Sequence, residues 1–262
     1  MVRGLYTGWT GMVNEQKRLD VISNNMANSD TTGYKKQGVT SQSFDDELTL
    51  RIHTDNEYSG VHYKIGDMNL GVKIGETYHD FSQGSIRETG NPFDLALSGE
   101  GFFTIQFTNK QGETSTKYTR DGSFTVNTEG YLVTKDGDYV LDSNGGTIQI
   151  PGAQTAVDVS IDIKGNIIVD GNNVATLGIA RFDDPQALLL YGENMYDATA
   201  AAGLQADDTT VVHQGYLEMS NTNVIKEMVD MITITRAYEA GQKIVQTMDE
   251  TLDKSVNEIG RV

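Results

Sequence analysis

Apolar residues near the N-terminus recur at the spacing of an α-helix. Steps of four and three residues alternate from Leu5 to Met26, which predicts an amphipathic helix with coiled-coil character. The stripe consists of Leu5, Trp9, Met12, Gln16, Leu19, Ser23 and Met26, with Val2, Val13 and Ile22 beside it. Gly4, Gly8 and Gly11 interrupt this segment and indicate either the close approach of another backbone or a frayed first turn.

The C-terminal segment has the same period. We predict one helix over residues 224–259, which would be about 50 Å long at 1.5 Å per residue. Its stripe consists of Val224, Met228, Met231, Thr235, Tyr238, Gln242, Val245, Asp249, Leu252, Val256 and Ile259, and a second shoulder of Ile225, Val229, Ile232, Ile244 and Met248. Because an amphipathic helix of this length needs partners along its length, we expect the two terminal helices to pair.

The chain between the two helices has the pattern of β-structure. Residues 85–182 contain short β-prone runs that are separated by glycine turns, and two of these runs lie around Gly99 and Gly101. Strands of this length with frequent turn signals predict an antiparallel β domain. The strongest turn signals are Asp121-Gly122, Glu129-Gly130 and Asp136-Gly137.

The segment before the β domain is less clearly defined. Phe44–Ile52 fits either a helix or the start of a strand, whereas residues 61–75 have an extended pattern. The predicted fold class is therefore α+β, with paired, coiled-coil-like N- and C-terminal helices and a central antiparallel β-rich domain. The predicted segments are an N-terminal helix (1–40), a connecting segment (41–84), a β-rich domain (85–214) and a C-terminal helix (215–262).

The stretch from Ile22 to Lys36 is rich in residues that stop helices. Asn24, Asn25 and Asn28 favour helix ends and turns, because their side chains bond nearby backbone groups. We expect this stretch to end the first helix and to lead the chain into the β-rich part.

Charge is distributed unevenly along the chain. The 20 basic and 37 acidic residues give a formal net charge of −17, and this charge lies within residues 41–220, since the two terminal segments together are neutral. Neutral ends can pack against each other and against further copies without repulsion, although an accidental split remains the alternative. The acidic total argues against nucleic acid and anionic membranes as partners.

Residue types needed for catalysis or metal binding are sparse. Cysteine is absent, which excludes disulfides, cysteine-based zinc sites and thiol nucleophiles. The histidines, at positions 53, 62, 79 and 213, lack paired ligand spacing, and the Asp-Gly turns lack the spacing of a calcium loop. We assign no catalytic, cofactor or metal residue. The sequence also lacks an 18-residue apolar run and an apolar signal segment, which predicts no membrane insertion and no cleaved signal peptide.

Three motifs resemble those of the flagellar rod and hook protein family. "LDVISNNMANSDTTGYKK" resembles the N-terminal signature, "NPFDLALSGEGFF" with "YTRDGSFTVNTEGYLV" the β-domain core, and "QGYLEMSNTNVIKEMVDMITITRAYEAGQKIVQT" the C-terminal signature. The motifs occur in the family's order and the resemblance covers nearly the whole chain. The chain departs from the pattern at Gly241, where Asn is usual, and at Met26, where Leu is commoner.

This resemblance implies a structural protein of the bacterial flagellum, without a cofactor, and not an enzyme. In the family, both terminal helices form the inner layer of a hollow helical tube that transmits torque to the hook, and the β domain forms the outer layer. The implied partners are further copies, neighbouring rod and hook proteins, and basal-body ring components. Type III export without a cleaved signal peptide is implied as well. The size of residues 44–75 is more similar to that of a distal rod subunit, with a proximal rod or hook subunit as the alternative.

The resemblance also implies an assembly interface on the terminal helices. Arg236, Tyr238 and Glu239 are expected to make bonds between subunits, with a solvated helix face as the alternative. The predicted interface comprises Leu5, Trp9, Met12, Leu19, Ile22, Asn24, Asn25, Met26, Asn28, Val224, Met228, Met231, Arg236, Tyr238, Glu239, Val245 and Leu252.

A second class of function fits the same pattern. The acidic β domain would bind a cationic or carbohydrate ligand in a secreted binding module, and the helices would form a dimerisation stalk. That protein would form a small closed oligomer, whereas a rod subunit forms an open helical polymer. For the rod subunit we expect terminal helices that are partly disordered in the monomer and become ordered on assembly.

Overall fold

A computed structural model of the chain describes residues 2–51, 63–109, 111–151, 159–192, 194–206 and 209–259. It contains two long α-helices, α1 (Val2–Ala27) and α2 (Val224–Lys254), with a π-helical turn at Ser255–Ile259 and short 3₁₀-helices at Pro185–Ala187 and Ala200–Ala202. Both terminal helices predicted from the sequence are therefore present. The α-helical part of the second ends five residues before the predicted end.

Short strands make up most of the structure between the helices. Their bounds are β1 (Gln37–Ser43), β2 (Glu47–Arg51), β3 (Tyr63–Met68), β4 (Val72–His79), β5 (Ile86–Glu88), β6 (Leu95–Ser98), β7 (Phe102–Thr108), β8 (Thr114–Thr119), β9 (Thr125–Val126), β10 (Leu132–Val133), β11 (Tyr139–Val140), β12 (Val159–Ile161), β13 (Asn166–Val169), β14 (Asn172–Thr176), β15 (Ile179–Phe182), β16 (Leu188–Gly192), β17 (Met195–Ala198), β18 (Leu204–Ala206), β19 (Val211–Gln214) and β20 (Tyr216–Glu218).

The chain divides into two compact units, which we call the helical unit and the β unit. The helical unit comprises Met1–Met26, Gln37–Tyr78 and Val224–Val262, and the β unit comprises Ala27–Lys36 and His79–Asn223. These units cut across the four segments predicted from the sequence, because residues 27–36 fall with the β-rich part and residues 37–78 with the helices. The assignment of the four segments to inner and outer layers of an assembled tube stays a prediction.

Two small antiparallel pairs accompany the helices in the helical unit. β2 pairs with β3, and β1 pairs with β4. The segment that fitted either a helix or a strand therefore forms a strand at Glu47–Arg51. Ile52 at the end of that segment lies outside the described residues, as do the predicted extended positions 61 and 62, the histidines at 53 and 62, and residues 152–158.

The β unit is built on antiparallel strands, as predicted. Its largest sheet follows the order β16-β17-β8-β7-β11-β10-β9, with β15 joining β7 to β18, and β12-β13-β14 form a second sheet. The predicted turns at Asp121-Gly122, Glu129-Gly130 and Asp136-Gly137 fall between consecutive strands from β8 to β11. Gly130 and Gly137 have φ angles of 87° and 97°, which a residue with a Cβ adopts only with strain.

Two hydrophobic clusters form the core of the β unit. One surrounds Phe103 and Phe124, whose rings meet edge to face with centroids 5.0 Å apart. The other surrounds Phe102, Phe182 and Tyr196, and burial raises the pKa of the Tyr196 hydroxyl above its ordinary value. The β unit therefore has a core of its own. None of the helices in the described part of the chain combines the length and hydropathy needed to span a bilayer.

Candidate assembly interface

The two long helices contact each other where α1 is rich in glycine. A Cβ added at Gly8 would lie 3.1 Å from Cγ2 of Val245, and one at Gly4 would lie 2.5 Å from Cε of Met248. Since residue numbers fall on α2 as they rise on α1, the helices run antiparallel. Close approach of a second helix, rather than a frayed turn, therefore explains these two glycines. Whether the pair is a true coiled coil stays a prediction.

A glycine of α2 makes a matching contact. A Cβ at Gly241 would lie 2.9 Å from Cγ of Met12, so the residue at which the chain departs from the family pattern is a point of close helix contact. An Asn side chain at this position would require Met12 to move. The contact offsets the cost of about 1 kcal/mol that glycine carries within a helix.

An open groove follows this contact along one side of the helix pair. Its volume is about 640 Å³, and its surface is mostly apolar. We call it the glycine groove; it is lined by Gly4, Gly8, Gly11 and Glu15 of α1 and by Ala237 and Ala240 of α2. Gly11 is its most open position, because a Cβ added there would meet no atom within 4 Å.

The face that α2 turns inward differs from the predicted stripe. The structure buries Glu227 and Ile234, and it half-buries Gly241 and Met248. The predicted stripe instead contained the residue that follows each of these, and these four are exposed: Met228, Thr235, Gln242 and Asp249. Met231, Val245 and Leu252 belong to both stripes and are half-buried. The prediction placed part of the inward face one residue too far along the helix, because α2 is apolar on more than one face.

The face that α2 exposes is strongly apolar near its start. We call Ile225, Met228, Val229 and Ile232 the apolar ridge; 76%, 51%, 56% and 55% of their respective surfaces are exposed. Their spacing of i, i+3, i+4 and i+7 places them on one side of the helix. Val224, also predicted as an interface residue, is 38% exposed.

The predicted apolar interface residues of α1 fall into two groups. Trp9 is 54% exposed, and its ring centroid lies 5.8 Å from that of the exposed Tyr6. The others are half-buried, and they are Leu5, Met12, Leu19, Ile22 and Met26. Arg236, Tyr238 and Glu239 on α2 are exposed, and their side chains form no hydrogen bond or ion pair with the described part of the chain. Their role in contacts between subunits stays a prediction.

One asparagine of the helix-stopping stretch joins three parts of the helical unit. The Asn25 side chain is buried, donates from Nδ2 to the carbonyl oxygen of Gln37 at 2.8 Å, and accepts from the Gln37 N–H at 2.9 Å. Nδ2 also lies 3.4 Å from Oε2 of Glu227 in the first turn of α2. Asn24 is exposed, whereas Asn28 accepts bonds from Thr31 within the turn that follows α1. Asn25 therefore has a structural role in the monomer.

Replacing Asn25 with Ala is expected to lower the free energy of unfolding of the helical unit by about 1 to 3 kcal/mol, because two partly buried backbone groups of Gln37 lose their partner. The single tryptophan, Trp9, lies on α1 and reports this transition by fluorescence during urea unfolding. Ser23→Ala changes an exposed residue of the same helix and serves as the control. Equal midpoints for the two variants would contradict the assigned role of Asn25.

The end of the same stretch is fixed within the β unit. Thr32 Oγ1 donates to Oδ1 of Asp121 at 2.8 Å, and the Gly33 N–H donates to the carbonyl oxygen of Glu218 at 2.8 Å. Asn194 Nδ2 donates to the carbonyl oxygen of Thr32 at 3.1 Å. The residues that were predicted only to stop a helix therefore also hold residues 27–36 against the rest of the β unit.

A buried ion cluster lies beside these contacts. Glu218 accepts from Nζ of Lys35 at 2.6 Å and from Nη1 of Arg120 at 3.3 Å, and each of these side chains has at most 2% of its surface exposed. The Gly84 N–H donates to Oε1 of Glu218 at 2.8 Å. One carboxylate therefore serves as the counter-charge that two buried cations share.

Each cation in the cluster has further partners. Lys35 Nζ donates to the carbonyl oxygen of Ser82 at 2.9 Å, and Arg120 Nη2 donates to that of Gly99 at 2.6 Å. Burial lowers the pKa of Lys35, although the charge of Glu218 opposes that shift. The sequence analysis missed this cluster, since buried and solvated charges look alike in one sequence. The sequence did give one indication of the cluster, because each of the three residues lies in one of the motifs that resemble the flagellar family.

Other candidate chemistry does not converge on a site. Among the described residues, no group of three His, Asp or Glu side chains could hold a metal ion. Oδ1 of Asp142 accepts from the N–H groups of Asn144 and Gly146 at 2.8 and 2.7 Å, so this carboxylate closes a turn of its own backbone.

Comparison with known proteins gives matches along most of the chain. Residues 5–35, 96–169 and 213–259 match the families described as "Flagella basal body rod protein", "Flagellar hook protein FlgE/F/G D1 domain" and "Flagellar basal body rod FlgEFG protein C-terminal". The flagellar basal-body rod protein FlgG of Bacillus subtilis is 36% identical over 98% of this chain and 99% of its own length. The chain belongs to the flagellar basal-body rod and hook family. FlgF of Caulobacter vibrioides is 34% identical over the full length of both chains, and FlgG of Agrobacterium fabrum is 34% identical over 95% of this chain and 96% of its own.

Membership of this family makes the chain a structural subunit of the flagellar basal-body rod and not an enzyme. The three matched segments of this rod protein meet at the buried ion cluster. Lys35 belongs to the first segment, Arg120 to the second and Glu218 to the third. The cluster therefore ties together the parts of the sequence by which the family is defined.

Proposed function

We propose that the chain is a distal rod subunit that polymerises through its terminal helices into a helical tube and transmits torque to the hook. The observation that carries this proposal is the apolar surface of the two helices, since the ridge and Trp9 are exposed. The β unit has its own core and does not need this surface to fold. Burying it against further copies at about 25 cal/mol per Å² would drive assembly.

The proposal also specifies location and neighbours. The subunit acts in the flagellar basal body, where it contacts other rod and hook proteins and ring components, and it reaches that site by type III export without a cleaved signal peptide. The size of the segment over residues 44–75, which is more similar to that of a distal rod subunit, supports the distal position. A proximal rod subunit is the competing assignment.

Assembly of the purified full chain tests this function. Sedimentation and electron microscopy should show open filaments above a threshold concentration, and the emission of Trp9 should shift to shorter wavelength as the helices become buried. A small closed oligomer would instead support a binding module with a helical stalk. A chain that stays monomeric at all concentrations would overturn polymerisation.

The stage at which assembly stops in cells tests the distal position. Cells that lack this chain should complete the proximal rod and then stop before the hook. Arrest before the proximal rod is complete would support a proximal subunit.

A further inference from the structure

One face of the largest sheet in the β unit carries an open pocket. Tyr118 of β8 lies opposite Thr104 of β7, and Ala180 of β15 lies opposite Phe102, so these residues share the face that carries the cluster around Phe102. Beside that cluster the same face forms the floor of a pocket of about 330 Å³, which we call the sheet pocket. Ligand pockets in proteins have volumes of roughly 300 to 1,000 Å³.

The walls of the sheet pocket carry hydroxyl groups that have no partner in the described part of the chain. Tyr118 has only 6% of its surface exposed, yet its hydroxyl forms no hydrogen bond with the described residues. Thr116 and Ser143 line the same pocket, and their side-chain hydroxyls form no such bond either. Because an unbonded hydroxyl at a nearly buried position costs free energy, a polar ligand in the pocket would be stabilised at Tyr118.

One charge of each sign completes the lining. Oδ1 of Asp142 is occupied by the N–H groups of Asn144 and Gly146, which leaves Oδ2 as a further acceptor. Lys164 also lines the pocket, is exposed, and forms no ion pair with the described residues. The pocket therefore offers hydrogen-bond donors and acceptors together, without a net charge.

This lining selects among classes of ligand. A purely apolar molecule would remove the hydroxyls and the two charges from water without giving them partners. An anion would be repelled by a chain with a net charge of −17, and a cation would lie close to Lys164. A sugar has hydroxyl groups that both donate and accept, and its C–H faces can pack on the apolar floor around Leu177 and Ala180.

We propose that the sheet pocket binds a short neutral saccharide. One face of a sugar ring lies on Leu177 and Ala180, and hydroxyl groups of the saccharide bond to Tyr118, accept from Lys164 and donate to Asp142. This activity goes beyond the proposed function, because the pocket lies within the β unit, whereas the proposed polymerising surface lies on the helices.

Titration of the full chain with saccharides tests the site. Cellobiose and di-N-acetylchitobiose are two neutral disaccharides, and ¹H–¹⁵N NMR at a concentration where the chain is monomeric follows their binding. At least one of them should shift the amide signals of Gly178 and Ala206, which line the pocket, and leave those of Gly130 and Gly137 unchanged. If neither disaccharide shifts these signals, or if only glucuronic acid or glucosamine does, the proposal is overturned.

Filling the pocket locates the binding. Ala206 is exposed on β18, which pairs only with β15 among the described strands, so Ala206→Leu adds a side chain to the pocket without entering the core. This variant should lose the shifts. Ala201→Leu is the matched control, since it makes the same change at an exposed residue outside the pocket and should bind as the wild type does.

Removing one hydroxyl tests the role of Tyr118. Tyr118→Phe removes a hydroxyl without a partner in the described part of the chain, so the fold should be at least as stable, which circular dichroism checks. The dissociation constant should rise about three- to ten-fold, as expected for the loss of one hydrogen bond. Tyr139→Phe removes a hydroxyl outside the pocket and should leave it unchanged. Wild-type affinity in both Tyr118→Phe and Ala206→Leu would show that the saccharide binds elsewhere and would overturn the proposal.

Discussion

Replacing Glu218 with Gln is expected to lower the free energy of unfolding of the β unit by about 3 to 5 kcal/mol, because two buried cations are left without a counter-charge. Lys35 and Arg120 are almost completely buried, so water cannot replace the lost carboxylate. Gln keeps the size of Glu218 and isolates the effect of charge from that of packing. Chemical unfolding followed by near-ultraviolet circular dichroism of the buried aromatic residues measures the change.

A surface ion pair of similar length provides the control for this variant. Arg181 Nη2 lies 2.9 Å from Oε2 of Glu100, but the two side chains are 44% and 70% exposed. Exposed pairs contribute little to stability, so Glu100→Gln should leave the unfolding midpoint unchanged within error. The double variant Lys35→Met with Glu218→Gln should recover part of the loss, since it removes one uncompensated charge. Equal midpoints for Glu218→Gln and Glu100→Gln would contradict the role given to the cluster.

The loss in Glu218→Gln is also expected to depend on pH. Burial lowers the pKa of folded Lys35 below 10.5, so between the lowered pKa and 10.5 the unfolded chain binds more protons and the free energy of unfolding rises with pH. Removing Glu218 lowers this pKa further and extends the window towards neutral pH. The stability difference between wild type and Glu218→Gln should therefore shrink as pH is raised from neutral towards the lowered pKa of Lys35 in the wild type.

Replacing Gly33 with Ala is expected to cost about 3 kcal/mol or more in the β unit. Gly33 has a φ angle of 67°, in the left-handed region that disfavours residues with a Cβ. The added Cβ would also overlap the backbone nitrogen of Asp121 and lie 2.5 Å from the carbonyl carbon of Arg120. Backbone atoms cannot rotate away as the end of a side chain can, so strain and overlap add.

Gly137→Ala separates the two causes. Gly137 also has a positive φ, of 97°, but a Cβ added there would meet no atom within 4 Å. This variant should show the cost of backbone strain alone, about 1 to 2 kcal/mol. Thermal unfolding of both proteins under the same conditions gives the comparison. If Gly33→Ala lowers the free energy of unfolding no more than Gly137→Ala does, the conclusion that residues 27–36 pack tightly against Asp121 is wrong.

Much of the fold could be predicted from local patterns in the sequence. Helical spacing located α1 and α2, and glycine turns located the strands from β8 to β11, because both signals depend on residues close together in the chain. The orientation of α2 could not be found in this way. Its two apolar stripes share Met231, Val245 and Leu252, and only the packing of α1 against Gly241 and its neighbours selects the inward face.

The tertiary roles of polar residues were also beyond local patterns. Asn25 was predicted as a helix stop and interface residue, but its partner Gln37 lies in a strand and its partner Glu227 lies near the other end of the chain. Lys35 and Glu218 are likewise ordinary charges in the sequence. A single sequence does not show which distant residues meet, so neither contact could be found before the structure.

The bond between Lys35 and Glu218 joins residues 183 positions apart. A polypeptide delivered end first through a narrow channel, whichever end leads, cannot close this bond until more than two thirds of its length has emerged. Non-local closures of this kind slow folding. For a chain delivered in this way, the buried ion cluster would therefore form only late in transit, after both Lys35 and Glu218 have emerged.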